Sequence, residues 1–392
     1  MKIFLNDQVI LFINWLLLVI SLVFFVFYCY FIFRLKKLWN SKSADDMQQP
    51  SGDDPFVSVI IAGRNEAPNL RKCIDSILEN EYPKSLFEII YIDDHSVDNS
   101  VIELSSIASE NFRFYELKNH SSSENLNSYK KMAISYGISK AKGEIVLLTD
   151  ADTIAGKNWI QSHTDIFKTG KEVKLCTGPV IFFGSKTFIE QFQYYDLIAT
   201  MGFTNGGIAR NSYFMANGAN MSFLKEIYET DALKTEYASG DDMFFVQRTA
   251  GRFPGSVRFI KSVNAAVYTY PEKTLRSFFH QRLRWGSKSR GYSDMQLKLI
   301  LSFIFLTNLL IIIDIVWFSL NISLQSLLPV MMIILKLIID ISFIRSVALD
   351  LRQKIDFPVL TASLLLYPLY IVPMGILSLV SSNYTWKGRK VK

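Results

Sequence analysis

Only three cysteines occur in 392 residues, Cys29, Cys73 and Cys176, far apart and without a CxxC pair. That spacing argues against a zinc site and against a disulfide framework, leaving each thiol as a small buried hydrophobe. No GxGxxG follows the first predicted strand and no GxxxxGK[ST] occurs anywhere, so neither a dinucleotide Rossmann site nor a P-loop is expected. The net charge is +6 and the pI about 8.9, yet no basic-aromatic RNA-binding signature accompanies it. The basic residues gather instead beside apolar runs, at Arg34, Lys36 and Lys37 and again at Lys387, Arg389 and Lys390. Such clusters suit membrane headgroups, and no nucleic-acid partner is expected.

What the chain has in excess is apolar surface. Hydrophobic residues make up 49%, with 30 Phe and a mean hydropathy of +0.19, and the excess sits at the two ends. Val9 to Phe33 carries no charge, which is long enough to cross a bilayer with some tilt and too long for a signal-peptide core. The basic cluster after it predicts that the following domain is cytoplasmic. Three further spans are predicted over Leu297 to Leu320, Leu327 to Ile344 and Val359 to Val380, the last broken by Pro368 and Pro373. The first of these spans carries Asn308 and Asp314. The charges Asp314, Lys336 and Asp340 must face protein or water, and Lys336 and Asp340, four apart on one helical face, are expected to pair, the alternative being a substrate pathway. One span before the domain and three after it would put the basic tail outside, against the positive-inside tendency. Either the proline-broken segment is re-entrant or the tail is an exception.

The middle of the chain reads as a parallel sheet covered by helices. Apolar runs at Phe56 to Ala62, Phe87 to Ile92, Phe112 to Leu117 and Ile145 to Leu148 are predicted strands. Helices are predicted over Asn69 to Asn80, Asn99 to Glu110 and Tyr129 to Lys140. Beyond Asp152 the pattern loosens. A strand and turn are predicted over Lys174 to Val180, a helix over Phe188 to Met201, a small-residue loop over Asn217 to Met221, and a helix opened by Gly240-Asp241-Asp242. The expected division is an N-terminal transmembrane helix over residues 1–40, a linker over 41–55, and a soluble-type α/β domain over 56–275. An interfacial segment over 276–296 and a membrane region with a basic tail over 297–392 complete it.

Two acidic pairs, Asp93-Asp94 and Asp150-Ala151-Asp152, follow predicted parallel strands, so the fold would carry both to one sheet edge, where α/β proteins bind ligands. Taken alone, Asp150 and Asp152 could simply end a strand and open a turn. Crowded acids repel by about 1–4 kcal/mol per close pair, so a divalent ion or a cationic side chain must offset them. Arg64, Lys130 and Lys131 are candidates. Carboxylates one residue apart can turn toward a single hard cation, which suits a diphosphate held through Mg²⁺ or Mn²⁺.

The segments Val57 to Glu66, Asp93 to Asp98, Asp150-Ala151-Asp152, Gly240-Asp241-Asp242 and Gln281-Arg282-Leu283-Arg284-Trp285 together carry a resemblance. In their order the chain resembles a membrane-bound family 2 glycosyltransferase of the cellulose-synthase, hyaluronan-synthase and ceramide-glucosyltransferase kind. The resemblance covers about Phe56 to Trp285. It implies a GT-A fold and inverting transfer from a nucleotide sugar, such as a UDP-sugar, to a lipid or growing polysaccharide. By the same resemblance Asp94, with Asp93, Arg64, Glu66 and Lys130 nearby, would meet the nucleotide, Asp150 and Asp152 would hold the metal and diphosphate, and Asp242 would be the general base. Gln281, Arg282, Arg284 and Trp285 would form the diphosphate and acceptor platform, and Asn220 an acceptor-side loop. The family usually has Glu-Asp where this chain has Asp241-Asp242, and the second acid is retained. The implied location is an integral, multi-pass protein of a bacterial inner membrane, contacting membrane lipids. The alternative reading is a non-catalytic scaffold or nucleotide-sugar sensor that keeps the fold.

Overall fold

The computed structural model describes residues 7–41, 50–119, 129–169, 172–228, 241–380, 384–386 and 389–391. A long helix α1 (Asp7–Asn40) leads into the domain. Strand β1 (Val57–Gly63), helix α2 (Ala67–Leu78), strand β2 (Phe87–Asp93), helix α3 (Ser100–Ser105), strand β3 (Phe112–Glu116), helix α4 (Tyr129–Lys140) and strand β4 (Ile145–Asp150) then alternate. β1 and β2 are almost entirely buried, which is why they read as continuous apolar runs. α2 buries Leu70, Cys73, Ile74 and Ile77, the i, i+3, i+4, i+7 stripe of a helix lying on a sheet.

Short strands β5 (Ile154–Ala155), β6 (Leu175–Thr177), β7 (Val180–Phe182) and β8 (Met221–Leu224) follow, with helices α5 (Trp159–Phe167) and α6 (Phe188–Ala209) among them. Helix α7 (Asp241–Arg252), strands β9 (Val257–Phe259) and β10 (Val267–Thr269), and helix α8 (Leu275–Ser287) close the domain. The main sheet has the order β3-β2-β1-β4-β8-β6-β9, and β5-β10-β7 form a smaller one. β3, β2, β1 and β4 run parallel, and β8 opposes both β4 and β6. The order reverses between β1 and β4, so the crevice at their carboxyl ends is the topological switch point where open α/β sheets bind ligands.

Three helices follow, α9 (Met295–Leu320), α10 (Leu327–Asp350) and α11 (Phe357–Val380), and then a hairpin of β11 (Tyr384–Trp386) and β12 (Arg389–Val391). Among the described residues, four helices are long and apolar enough to cross a membrane: α1, α9, α10 with the turn before it, and α11. α1 and α10 run side by side, joined by Asn14 Nδ2 to Gln325 (2.8 Å), Tyr28 Oη to Asp340 (2.9 Å) and Trp39 Nε1 to Asp350 (2.8 Å). The expected pair forms, Lys336 Nζ reaching Asp340 Oδ2 at 2.6 Å. α6 rests on this bundle, Gly202 against Phe343 and Val347 and Gly206 against Leu35.

Three expectations need correction. α3 stops at Ser105, short of Glu110. α6 runs two turns past Met201, because Thr204 to Ile208 are buried rather than released into a loop. α11 is one continuous helix through Pro368 and Pro373. Each proline removes one backbone donor, and packing on α6, α8, α9 and α10 keeps the remaining ladder together.

Candidate active site

The switch-point crevice opens into a cleft of about 340 Å³, a volume in the range of small-molecule sites. At one end its wall is built from strand termini. After β1 and β2 the chain turns through Asn65 (φ 54°) and His95 (φ 56°), left-handed conformations that are costly outside glycine and collect at functional sites. The two turns are stitched together: Asn65 N–H donates to Ser96 Oγ (2.8 Å) and Val97 N–H to Asn65 Oδ1 (2.9 Å). Arg64 donates to the Asp94 and His95 carbonyls at 3.0 and 2.6 Å. Asp94 Oδ1 faces His95 Nδ1 at 2.9 Å. Arg64, Glu66 and Asp94 line the cleft.

Asp150, at the end of β4, pairs with Lys130 Nζ of α4 at 2.6 Å, the cationic offset expected for a crowded acidic edge. Asp150, Asp152 and Lys130 all line the cleft. Beneath them, burial together with the Asp152 and Asp150 carboxylates pushes the Cys73 thiol up to about 12, so it stays an inert thiol. Lys131 turns the other way, buried with its ammonium 5.4 Å from the Phe244 ring.

The opposite end is assembled from parts distant in sequence. Asp242, in the first turn of α7, accepts from Gly218 N–H (3.0 Å) and Met243 N–H (2.8 Å) and lies 3.7 Å from Lys288 Nζ. Burial alone would raise its carboxyl. The Lys288 ammonium, the two backbone N–H groups and Lys130 together hold it below the usual carboxylate range. Gln281, Arg284 and Trp285 of α8 line this end, with Tyr270, Glu272, Lys288 and Tyr292. Gln281 Nε2 donates to Glu272 (3.3 Å) while its side-chain oxygen is buried with no partner among the described residues. The floor is Leu197, Thr200, Met201 and Thr204 of α6.

Several residues expected in the site lie elsewhere. Asp93 is 1% exposed and accepts from Ser96 N–H at 3.0 Å. Burial raises its carboxyl despite the Ser96 bonds, and its role is to shape the turn behind Asp94. Asn220 is fully buried beyond the cleft wall, accepting from Trp159 Nε1 (2.9 Å), facing His163 Nε2 (2.9 Å), and donating to the Pro179 and Ala265 carbonyls, both at 2.7 Å. Burial brings the His163 ring down to about 4, so this hub is neutral. Arg282 points away from the cleft to Asp196 of α6 (2.9 Å), its guanidinium 4.3 Å from the Trp285 ring centre. It fixes α8 on α6 and holds Trp285 in place. Gly240 and the side chain of Asp241 lie outside the described residues. Lys288, Glu272 and Tyr292 belong to no motif, and only their nearness in sequence to Gln281 and Trp285 hinted at them.

The model for glycosyl transferase family 2 matches residues 58–230, and that for glycosyl transferase family group 2 matches residues 145–374. A glycosyltransferase of Haloferax volcanii is 32% identical over 130 residues, covering 33% of this chain and 40% of that protein. A beta-monoglucosyldiacylglycerol synthase of Nostoc sp. is 28% identical over 252 residues, 63% of this chain and 52% of its own length. A poly-beta-1,6-N-acetyl-D-glucosamine synthase of Staphylococcus epidermidis is 24% identical over 265 residues, 66% and 60%. The chain thus spans about half the length of the curated relatives it matches. Among solved structures, a mannosyltransferase of Pyrobaculum calidifontis, in complex with GDP-Man and Mn²⁺, superposes with a TM-score of 0.54 at 16% identity. The match covers 94% of this chain and 97% of that one, and the fold is of the GT-A type.

Proposed function

Because the chain belongs to the glycosyl transferase family group 2, we propose that it is an inverting membrane glycosyltransferase. It moves a sugar from a nucleoside diphosphate sugar, of which a UDP-sugar is the first candidate, to a hydroxyl of a membrane-associated lipid or polysaccharide. The single observation that carries the reading is convergence. Asp94 and Arg64 at one end, Lys130, Asp150 and Asp152 in the middle, and Asp242, Gln281, Arg284 and Trp285 at the other line one cleft. The relatives named for a glucosyldiacylglycerol and for a poly-N-acetylglucosamine keep both acceptor classes in view.

In this reading the turns after β1 and β2 hold the nucleotide, with Arg64 and Asp94 at their centre. Asp150 and Asp152 are the residues that would hold Mg²⁺ or Mn²⁺. Among the described residues no group of three or more His, Cys, Asp or Glu is poised to enclose a metal. Two hard carboxylates with coordination positions left for diphosphate oxygens and water fit such an ion better than an all-protein cage would. When bound, that ion supplies Lewis-acid neutralisation of the diphosphate leaving group. Lys130 contributes a further positive charge beside it, and Arg284 a forked donor for phosphate oxygens. Trp285 offers a flat face to a sugar ring, and the unpartnered oxygen of Gln281 suits a sugar hydroxyl. Asp242 accepts the proton of the incoming alcohol as that oxygen bonds to the anomeric carbon and the bond to the diphosphate breaks. Its ionised form, kept by Lys288 and two backbone N–H groups, is the form a general base needs before attack.

The test is release of nucleoside diphosphate by purified full-length protein in lipid nanodiscs, across a panel of UDP- and GDP-sugars. Asp242→Asn should lower kcat by about 100- to 10,000-fold with little change in donor KM. Equal background release by both proteins across the panel would instead favour a scaffold or nucleotide-sugar sensor.

A further inference from the structure

We infer that α11 does not cross the bilayer but lies at headgroup depth beneath the catalytic domain. Three helices, α1, α9 and α10, then make the crossings, and the basic tail ends on the catalytic domain's side. This inference does not depend on the chemistry proposed above.

The bundle of α1, α9 and α10 has two distinguishable ends. At the far end, Asn14 receives Trp317 Nε1 of α9 (2.7 Å) and donates to Gln325 in the turn before α10 (2.8 Å), away from the catalytic domain. At the near end, Trp39 meets Asp350, and Phe203 of α6 packs on Phe31, 6.1 Å between ring centres. A helix that left the near end and crossed would lose the catalytic domain after two turns. By Ser378 it would have risen about 30 Å, at 1.5 Å per residue, and would stand beside Trp317.

α11 does the opposite, and it touches the catalytic domain from its first turn to its last. Just before it begins, Tyr195 of α6 bonds the Asp356 backbone, accepting from N–H at 2.9 Å. At its middle, Tyr370 packs on Phe192 of α6 (5.2 Å) and Phe278 of α8 (5.3 Å). In its last turn Ser378 meets Gly286 of α8, where an added Cβ would come within 2.8 Å. From Phe278 to Gly286 and from Tyr370 to Ser378 the two helices advance together, so α11 runs alongside α8. Gly375 faces Phe305 of α9, two residues from Phe303, whose ring sits between Phe24 (5.8 Å) and Phe31 (6.5 Å) of α1, well short of the Asn14 end. After α11 the chain returns to α8 as strand β11.

The outer face of α11 fits the boundary between headgroups and acyl chains. Leu365, Leu366, Leu369, Ile376, Leu379 and Val380 are 44–76% exposed, an apolar face that no described residue covers and that acyl chains would. This placement also removes the conflict in charge, since Arg389 and Lys390 of β12 then share a side with Arg34, Lys36 and Lys37.

Single cysteines added to the full-length chain in sealed vesicles of known sidedness test it, with a membrane-impermeant maleimide as probe and the unaltered chain as blank. Val97→Cys in the catalytic domain and Lys392→Cys in the tail should react from one side, and Ile322→Cys, in the turn between α9 and α10, only from the other. Lys392→Cys reacting together with Ile322→Cys overturns the inference. A nitroxide at Leu369→Cys should be severalfold more accessible to a water-soluble relaxation agent than one at Ile338→Cys in mid α10. Equal, low accessibility at both positions also overturns it.

Discussion

The two ends of the cleft are built by different means. Around Arg64, Asp94 and Asp150 every group sits at the end of a parallel strand, and neighbouring turns are bonded backbone to side chain within about 30 residues of one another. Around Asp242 the groups arrive from the loop before β8, from α7, from α8 and from the turn after α8, fastened by Lys288 to Asp242 and by Arg282 to Asp196. One end is fixed by sheet register, the other by a few charged contacts across long sequence separations. A register cannot slip without turning a buried face outward. An ion pair, by contrast, can be exchanged for another.

That contrast makes distinct predictions for the two ends. The largest effect belongs to the strand-built end: chelation of divalent ions, or Asp152→Asn, should reduce nucleoside diphosphate release to background and abolish retention on an immobilised nucleoside diphosphate. Restoration of release by Mg²⁺ or Mn²⁺ in the chelated wild type, but not in the variant, would localise the ion to this end. Asn220→Ala should come next. It strips partners from Trp159, His163 and two buried carbonyls at once, which costs about 3 kcal/mol or more of stability, read as an earlier denaturant midpoint. A variant of wild-type stability but lower activity would return Asn220 to the site. The smallest effect is the most specific. Lys288 lowers the Asp242 carboxyl, so Lys288→Gln should raise it and move the acid limb of kcat/KM toward higher pH, since a higher pKa leaves less ionised base at a given acidic pH. Lys288→Arg should move the limb back. An unmoved limb in Lys288→Gln would mean that Lys288 does not govern the base.

The same contrast explains what could be read from residues alone. β1, β2 and β4 and the helices between them are local patterns, so Asp94 and Asp150 could be carried to one edge before any coordinates. Asn220 and Arg282 stand inside or beside matching motifs, yet a motif does not say which way a side chain turns. Arg282 and Arg284 differ by two positions on α8, about 200° around a helix, so one faces Asp196 and the other the cleft. Lys288 has no motif at all, because its partner lies 46 residues earlier. The continuity of α11 was hidden by its prolines, whose local cost is outweighed by packing that only the folded chain supplies.

Gly202 and Gly206 let α6 touch Phe343, Val347 and Leu35 with no side chain of its own between. The same helix presents Leu197, Met201 and Thr204 to the cleft. No layer of side chains from α6 therefore separates α1 and α10, both long and apolar enough to cross a membrane, from the helix that floors the cleft. A tilt of α1 or α10 would therefore meet the floor of the cleft directly, with only backbone between.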